Sequence, residues 1–245
     1  MNEEKFTGKA DLYEKFRPSY PDALIDFLYE NAHCDTVADI GAGTGKFTRC
    51  LLKKPWKIIA VEPNSDMRGR LSEIEGISVV DAPAENTGLA ARSVGLVTAA
   101  QAFHWFDEDR FKSECKRILT DDGRLAVIWN NFIEEGLAAR QMELCRKFCL
   151  DLVLGHTGKR SAEDGDRFLR GGYFSELEVV EFNGERVFDR ESFIGETLSR
   201  SYAPKKGQPN FERLIEELNK AFSEFEENGR AAVKCKTSCY FGKFN

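Results

Sequence analysis

Three glycines, Gly41, Gly43 and Gly45, stand at alternate positions just after a short apolar run, in the stretch VADIGAGTGKFT (37–48). Glycines placed there let a backbone turn tightly and approach a ligand closely. Amides at the start of a following helix then favour an anion or electron-rich groups. The stretch does not fit the phosphate-cradling GxxxxGK[ST] pattern: Lys46 follows Gly45, but Ile40 stands where the first glycine belongs and Phe47 replaces Ser/Thr. The spacing is GxGxG and not GxGxxG. A tight strand-to-helix turn would explain the glycines alone. Glu62, 21 residues after Gly41, adds a second feature. A carboxylate at the end of a second strand accepts hydrogen bonds from both hydroxyls of a ribose. Loop and carboxylate together point to a nucleoside ligand.

The elements that must position these residues alternate through the first half. Apolar runs at 36–41, 57–62, 77–82, 94–100 and 123–131 read as strands, the last after the turn TDDG. Helical patterns lie between them at 46–54, 65–74 and 107–119. Such alternation predicts right-handed crossovers and a parallel sheet, which binds ligands at the carboxyl ends of its strands. The second half differs. Residues 134–154 read as a helix, 155–166 as a polar loop, and 177–188 as a strand or hairpin. Helices are expected at 190–202 and 210–227, and a closing strand at 232–244. The break near 132–176 reads as an insertion and not as a domain boundary, so 1–245 is expected to be one domain.

Composition narrows the partners. Hydrophobic residues make up 42% of the 245, enough for a sizeable core. The net charge is -6, with 35 basic and 41 acidic side chains and no long basic block. Binding to nucleic acid is therefore not expected, and a small molecule is the better partner. Seven cysteines form neither a disulfide framework nor zinc-ligand spacing, which predicts reduced thiols, no metal, and a cytoplasmic protein. No apolar run approaches the ~20 residues of a membrane span, and the polar N-terminus does not read as a signal peptide.

ADIGAGTGKFT, VEPNSDMRGRL and DAPAENTGLAARSVGLVTAAQAFHWFD resemble three successive motifs of the class I S-adenosylmethionine-dependent methyltransferases. The likeness runs over roughly 10–130 and leans toward the small-molecule group that includes quinone-biosynthesis and aconitate methyltransferases. It implies a doubly wound, Rossmann-like α/β fold. Its mostly parallel seven-stranded sheet would have the order 3-2-1-4-5-7-6, with the last strand antiparallel and a helical cap at 132–176 and 190–210. The implied cofactor is S-adenosylmethionine. The implied partner is a small organic methyl acceptor, and the protein would be a monomer or homodimer.

Carried onto this chain, the resemblance sets Asp39, Gly41, Gly43 and Thr44 around the methionine part of the cofactor. Glu62 would take the ribose hydroxyls. Pro63 and Met67 would pack on the adenine, with Ala84 and Glu85 at its edge. Gln101, Phe103 and His104 would face the sulfonium and its methyl. Pro83 departs from the many relatives that carry Asp there, and it offers neither carboxylate nor N–H. Adenine recognition would then fall to neighbouring backbone groups or to Glu85.

Methyl transfer from a sulfonium is an in-line displacement, so positioning and water exclusion matter most and no catalytic triad is expected. His104 is the base candidate if the acceptor must lose a proton, because a pKa near 6.5 suits that task. It could equally pack the turn before WFDEDRF. Tyr13, Arg17 and Tyr20 would form an N-terminal flap, and Trp129 and Asn130 would line the acceptor pocket. A nicotinamide-dependent oxidoreductase shares the sheet, the loop and the acidic residue. The GxGxG spacing and the AEN…QAFHWFD segment count against it. A cofactor-binding protein without turnover is the other alternative.

Overall fold

The computed structural model describes residues 15–16, 19–153 and 162–244. Helix α1 (Asp22–Ala32) leads into β1 (Thr36–Ile40), α2 (Lys46–Leu51), β2 (Lys57–Val61), α3 (Ser65–Leu71) and β3 (Ile77–Val80). Then follow β4 (Val94–Ala100), a 3₁₀ turn (Phe103–Trp105), α4 (Glu108–Ile118) and β5 (Leu119–Phe132). The second half carries α5 (Gly136–Phe148), α6 (Leu150–Val153), α7 (Ala162–Phe168), a π turn (Leu169–Tyr173) and β6 (Glu176–Phe188). It ends with α8 (Arg190–Leu198), α9 (Phe211–Phe225) and β7 (Ala231–Lys243).

The seven strands form one sheet in the order β3-β2-β1-β4-β5-β7-β6. Pairings among β1 to β5 are parallel, and β7 runs antiparallel between β5 and β6. The central strands are mostly apolar because helices cover both faces, with Asp39 and Thr98 as buried polar exceptions. One face packs Phe103, Phe111, Trp129 and Tyr173. The other packs Leu24, Leu28, Phe47 and Trp56. A further cluster joins Leu144, Phe193, Leu218 and Phe222 from α5, α8 and α9 with Phe188 and Val233 at the ends of β6 and β7. The chain winds outward from β1 in one direction and from β4 in the other, so a crevice opens between these neighbours, where such folds bind ligands.

Several local expectations are corrected. TDDG is not a turn before β5: the register jumps from Val94↔Leu119 to Leu96↔Arg124, so residues 120–123 bulge out within that strand. Such a bulge absorbs extra residues without ending the pairing. The helix expected at 134–154 breaks at Cys149, whose backbone is extended (φ -99, ψ 97). Of the loop expected at 155–166, residues 155–161 lie outside the described residues, and the rest belongs to α7. Tertiary contacts hold that polar helix. Gly165 lies so close to Trp129 that an added Cβ would fall 2.8 Å from the indole, and Asp166 meets both Arg170 and the Tyr240 hydroxyl. Of the strand or hairpin expected at 177–188, the strand is what forms, paired with β7 from Glu176↔Lys243 to Phe188↔Ala231.

Candidate functional site

The loop after β1 is pinned to its neighbour first. The amides of Gly41 and Ala42 both donate to the Val61 carbonyl, at 2.9 and 3.1 Å. Gly41 has φ +70, and an added Cβ would fall 2.7 Å from the Ala102 Cβ and 3.1 Å from the Phe106 ring. The residue type therefore lets two loops close on each other. Gly43 (φ +59) is different, because nothing lies within 4 Å of an added Cβ. Its bare backbone faces open space, and its amide donates to Glu62 Oε2 at 2.8 Å.

Glu62 is only 7% exposed. Its second oxygen, Oε1, accepts from the Asn64 amide at 2.8 Å. Each oxygen thus spends one lone pair on the loops and keeps another for a ligand. Burial raises its pKa, which the Asn64 and Gly43 amides and nearby Arg68 oppose. Arg68 Nη1 donates to the Glu62 and Pro63 carbonyls at 3.0 and 2.8 Å, and Nη2 pairs with Asp81 at 2.7 Å. That clamp fixes the turn between β2 and α3.

Asp39, on β1, is 1% exposed and accepts from the hydroxyls of Thr48 at 2.6 Å and Thr98 at 2.9 Å. Burial pushes its carboxyl up to about 6, and the two hydroxyls only partly offset that. The folded pKa lies above the unfolded one, so stability from Asp39 is full below the ordinary carboxylate range and is lost as pH rises through 6. The charged form then costs on the order of 2–3 kcal/mol at neutral pH. Asp39→Asn is expected to raise the melting temperature at pH 7.5 and to gain little at pH 4. Melting curves at both pH values check this, and an equal gain at both would contradict it.

Four loops at the carboxyl ends of β1 to β4 enclose a cavity of about 230 Å³. Asp39, Gly41, Gly43, Glu62, Pro63, Met67, Ala84, Glu85, Gln101 and Tyr20 all line it. Met67 lies in the first turn of α3, where its amide donates to the capping Asn64 side chain at 3.0 Å. Glu85 Oε1 accepts from the Asp107 amide at 2.7 Å, tying the loop after β3 to the start of α4. Behind that loop, Thr87 donates to buried Glu114 through its amide (2.8 Å) and its hydroxyl (2.6 Å).

Gln101 is a non-glycine residue with φ 56. Strain of that kind concentrates at functional sites. Its amide donates to the Ile128 carbonyl at 2.8 Å, and its Nε2 donates to the Asn130 carbonyl at 2.6 Å. Asn130 Nδ2 in turn donates to the Ser19 carbonyl at 3.1 Å. Tyr20 packs edge-on against Phe47, ring centroids 4.8 Å apart.

Other expected site residues fall elsewhere. Phe103 does not line the cavity; it is 1% exposed and points into the aromatic core with Phe111 and Tyr173. Trp129 is likewise core, against Phe103 and Tyr240, because strand alternation puts it on the face opposite Asn130. His104 is half-buried beside Trp105, with ring centroids 4.9 Å apart, and Trp105 is the one of the pair that lines the cavity. Thr44 is fully buried, and its Oγ1 has no hydrogen-bond partner among the described residues. Tyr13 and Arg17 lie outside the described residues. Lys46, Asn64, Trp105 and Phe106 line the cavity without having been singled out. Lys46 carried a signal, as the cation next to the third glycine.

A nucleoside with a charged tail fits these residues. The bare Gly43 backbone and the spare lone pairs of Glu62 face the cavity, whereas the orphaned Thr44 hydroxyl lies behind its wall. Among the described residues no cluster of three or more His, Cys, Asp or Glu could hold a metal, and no helix is long and apolar enough to cross a membrane.

Comparison with known proteins agrees with this geometry. Residues 38–127 match a family described as a methyltransferase domain. The chain is 38% identical over 126 residues to an uncharacterized methyltransferase of Mycobacterium tuberculosis, covering 51% of each protein. It is 29% identical over 235 residues to an uncharacterized methyltransferase of Schizosaccharomyces pombe, covering 90% of this chain and 86% of that one. The chain spans about half the length of several curated relatives it matches. A solved structure assigned as a type II methyltransferase from Anaeromyxobacter dehalogenans superposes with a TM-score of 0.70 at 26% identity, over 93% of this chain and 98% of the other.

Proposed function

We propose that this chain, which belongs to the class I S-adenosylmethionine-dependent methyltransferases, methylates a small organic molecule. The observation that carries the reading is Glu62, buried in the cavity wall at the carboxyl end of β2 with one lone pair on each oxygen still unspent. When bound, S-adenosylmethionine supplies a methyl group on a positively charged sulfur, already activated as a leaving group.

The protein's own part is binding, orientation and exclusion of water. Glu62 takes the ribose hydroxyls, and Pro63, Met67, Ala84 and Glu85 hold the adenine. Asp39, Gly41, Gly43 and Thr44 surround the charged methionine end. A cation there stabilises the ionised form of Asp39, so affinity rises as pH climbs through its titration. Gln101 and Tyr20 border the methyl side, and Asn130 supports both. The segments 132–176 and 190–210 act as the cap over the acceptor, within a single domain. The net charge of -6 suits a modest-sized molecule better than a nucleic acid.

His104, beside cavity-lining Trp105, takes the acceptor's proton where the acceptor must lose one. The test is transfer of a labelled methyl group to a panel of small acids, phenols and amines, with bulk protein and RNA in parallel. Label should appear in a small molecule. His104→Ala should then lower kcat by about 10²-fold, the scale of general-base catalysis, at nearly unchanged cofactor affinity. Label only in protein or RNA would overturn the substrate class, and a normal rate across the pH range would leave His104 as packing.

A further inference from the structure

Tyr20 forms part of the cavity wall, and two described residues before it, Phe16 and Ser19, are held by elements far apart in the chain. Phe16 is 8% exposed and lies against α8 at Gly195, where an added Cβ would fall 2.3 Å from the Phe16 ring. Gly195 sits inside a nine-residue helix, where glycine disfavours the helix, and its bare surface is what seats the ring. Ser19 is held at the other side, its carbonyl accepting from Asn130 Nδ2 at 3.1 Å. Asn130 ends β5, and its own carbonyl accepts from cavity-lining Gln101 at 2.6 Å.

We infer that Gly195 and Asn130 are positioning residues: together they set the strap that carries Tyr20, and through it couple the helix α8 to the cofactor cavity. This rests on the methyltransferase reading of the same cavity. A wall held at two points costs less to order around a ligand than a free one, so both anchors contribute to affinity without touching the cofactor. Asn130→Ala is a clean probe, because the carbonyl that receives Gln101 belongs to the backbone and survives the change. Because both anchors hold one strap, losing the second adds little once the first is gone.

The experiment is calorimetry with S-adenosylhomocysteine on the unaltered chain, Asn130→Ala, Gly195→Val and the double variant, with melting curves run without ligand. Phe16→Ala replaces Gly195→Val if the latter does not fold. Each single change should weaken binding about fivefold, the scale of one hydrogen bond or seat. The double should reach about tenfold, short of the product that independent sites would give. Binding at full strength in Asn130→Ala and Phe16→Ala, or losses that multiply, would overturn the inference while leaving the cofactor reading intact. An unaltered chain that does not bind would overturn both.

Discussion

A Gly41→Val variant is expected to lose affinity for S-adenosylhomocysteine by at least about a hundredfold, and stability by about 2–4 kcal/mol. Two causes add. The backbone at this position has φ +70, which a β-branched residue adopts only with strain. The new side chain also enters the space of the Ala102 Cβ, 2.7 Å away, and of the Phe106 ring, 3.1 Å away. Both neighbours are cavity walls, so relief of the clash moves the site itself. Denaturant melts and calorimetry on the same preparation separate the two losses. A variant that melts early yet binds normally would show that the loop after β1 does not shape the ligand site.

The second large effect belongs to Glu62. Glu62→Ala should weaken cofactor binding by roughly 1–3 kcal/mol, the cost of leaving polar groups unpaired. It orphans the Gly43 and Asn64 amides as well as the ribose hydroxyls. Glu62→Gln sharpens the case. The carboxylate accepts at both oxygens, whereas an amide presents one acceptor and one donor, so either Gly43 or Asn64 would meet an N–H. The glutamine variant is therefore expected to bind almost as poorly as the alanine one. Near-normal binding by Glu62→Gln would mean that the charge and both acceptor oxygens are unimportant there. A 3′-deoxy analogue should bind the unaltered chain less well than the parent compound, and Glu62→Ala should cost the analogue less than it costs the parent.

Much of the sheet was legible because its central strands are simple. TVADI, KIIAV and VGLVTAA are short, mostly apolar runs with helical patterns around them, and that length and alternation favour parallel strands buried on both faces. The glycine loop and Glu62 were legible for the same reason, since each follows directly from the end of such a strand. Harder features depend on partners distant in sequence. The helix at α7 rests on Trp129 and Tyr240, far along the chain, and its own polar composition gives no hint of them. Trp129 read as pocket-lining because it ends a strand near the site, but alternation sends it to the other face. The methyltransferase resemblance set Phe103 toward the cofactor, yet the 3₁₀ turn directs it inward and brings Trp105 to the cavity. In a turn the period of 2 that orders strand side chains no longer holds, so spacing alone could not choose between these two aromatics.

The most direct test of the central claim is calorimetry on the unaltered chain with S-adenosylmethionine, S-adenosylhomocysteine and NADPH in turn. Saturable, one-to-one binding of the two adenosyl-sulfur compounds, with none of the nicotinamide, is the predicted result. Binding of NADPH with neither sulfur compound would contradict the assignment of Glu62 and the glycine loop to this cofactor, and with it the proposed reaction.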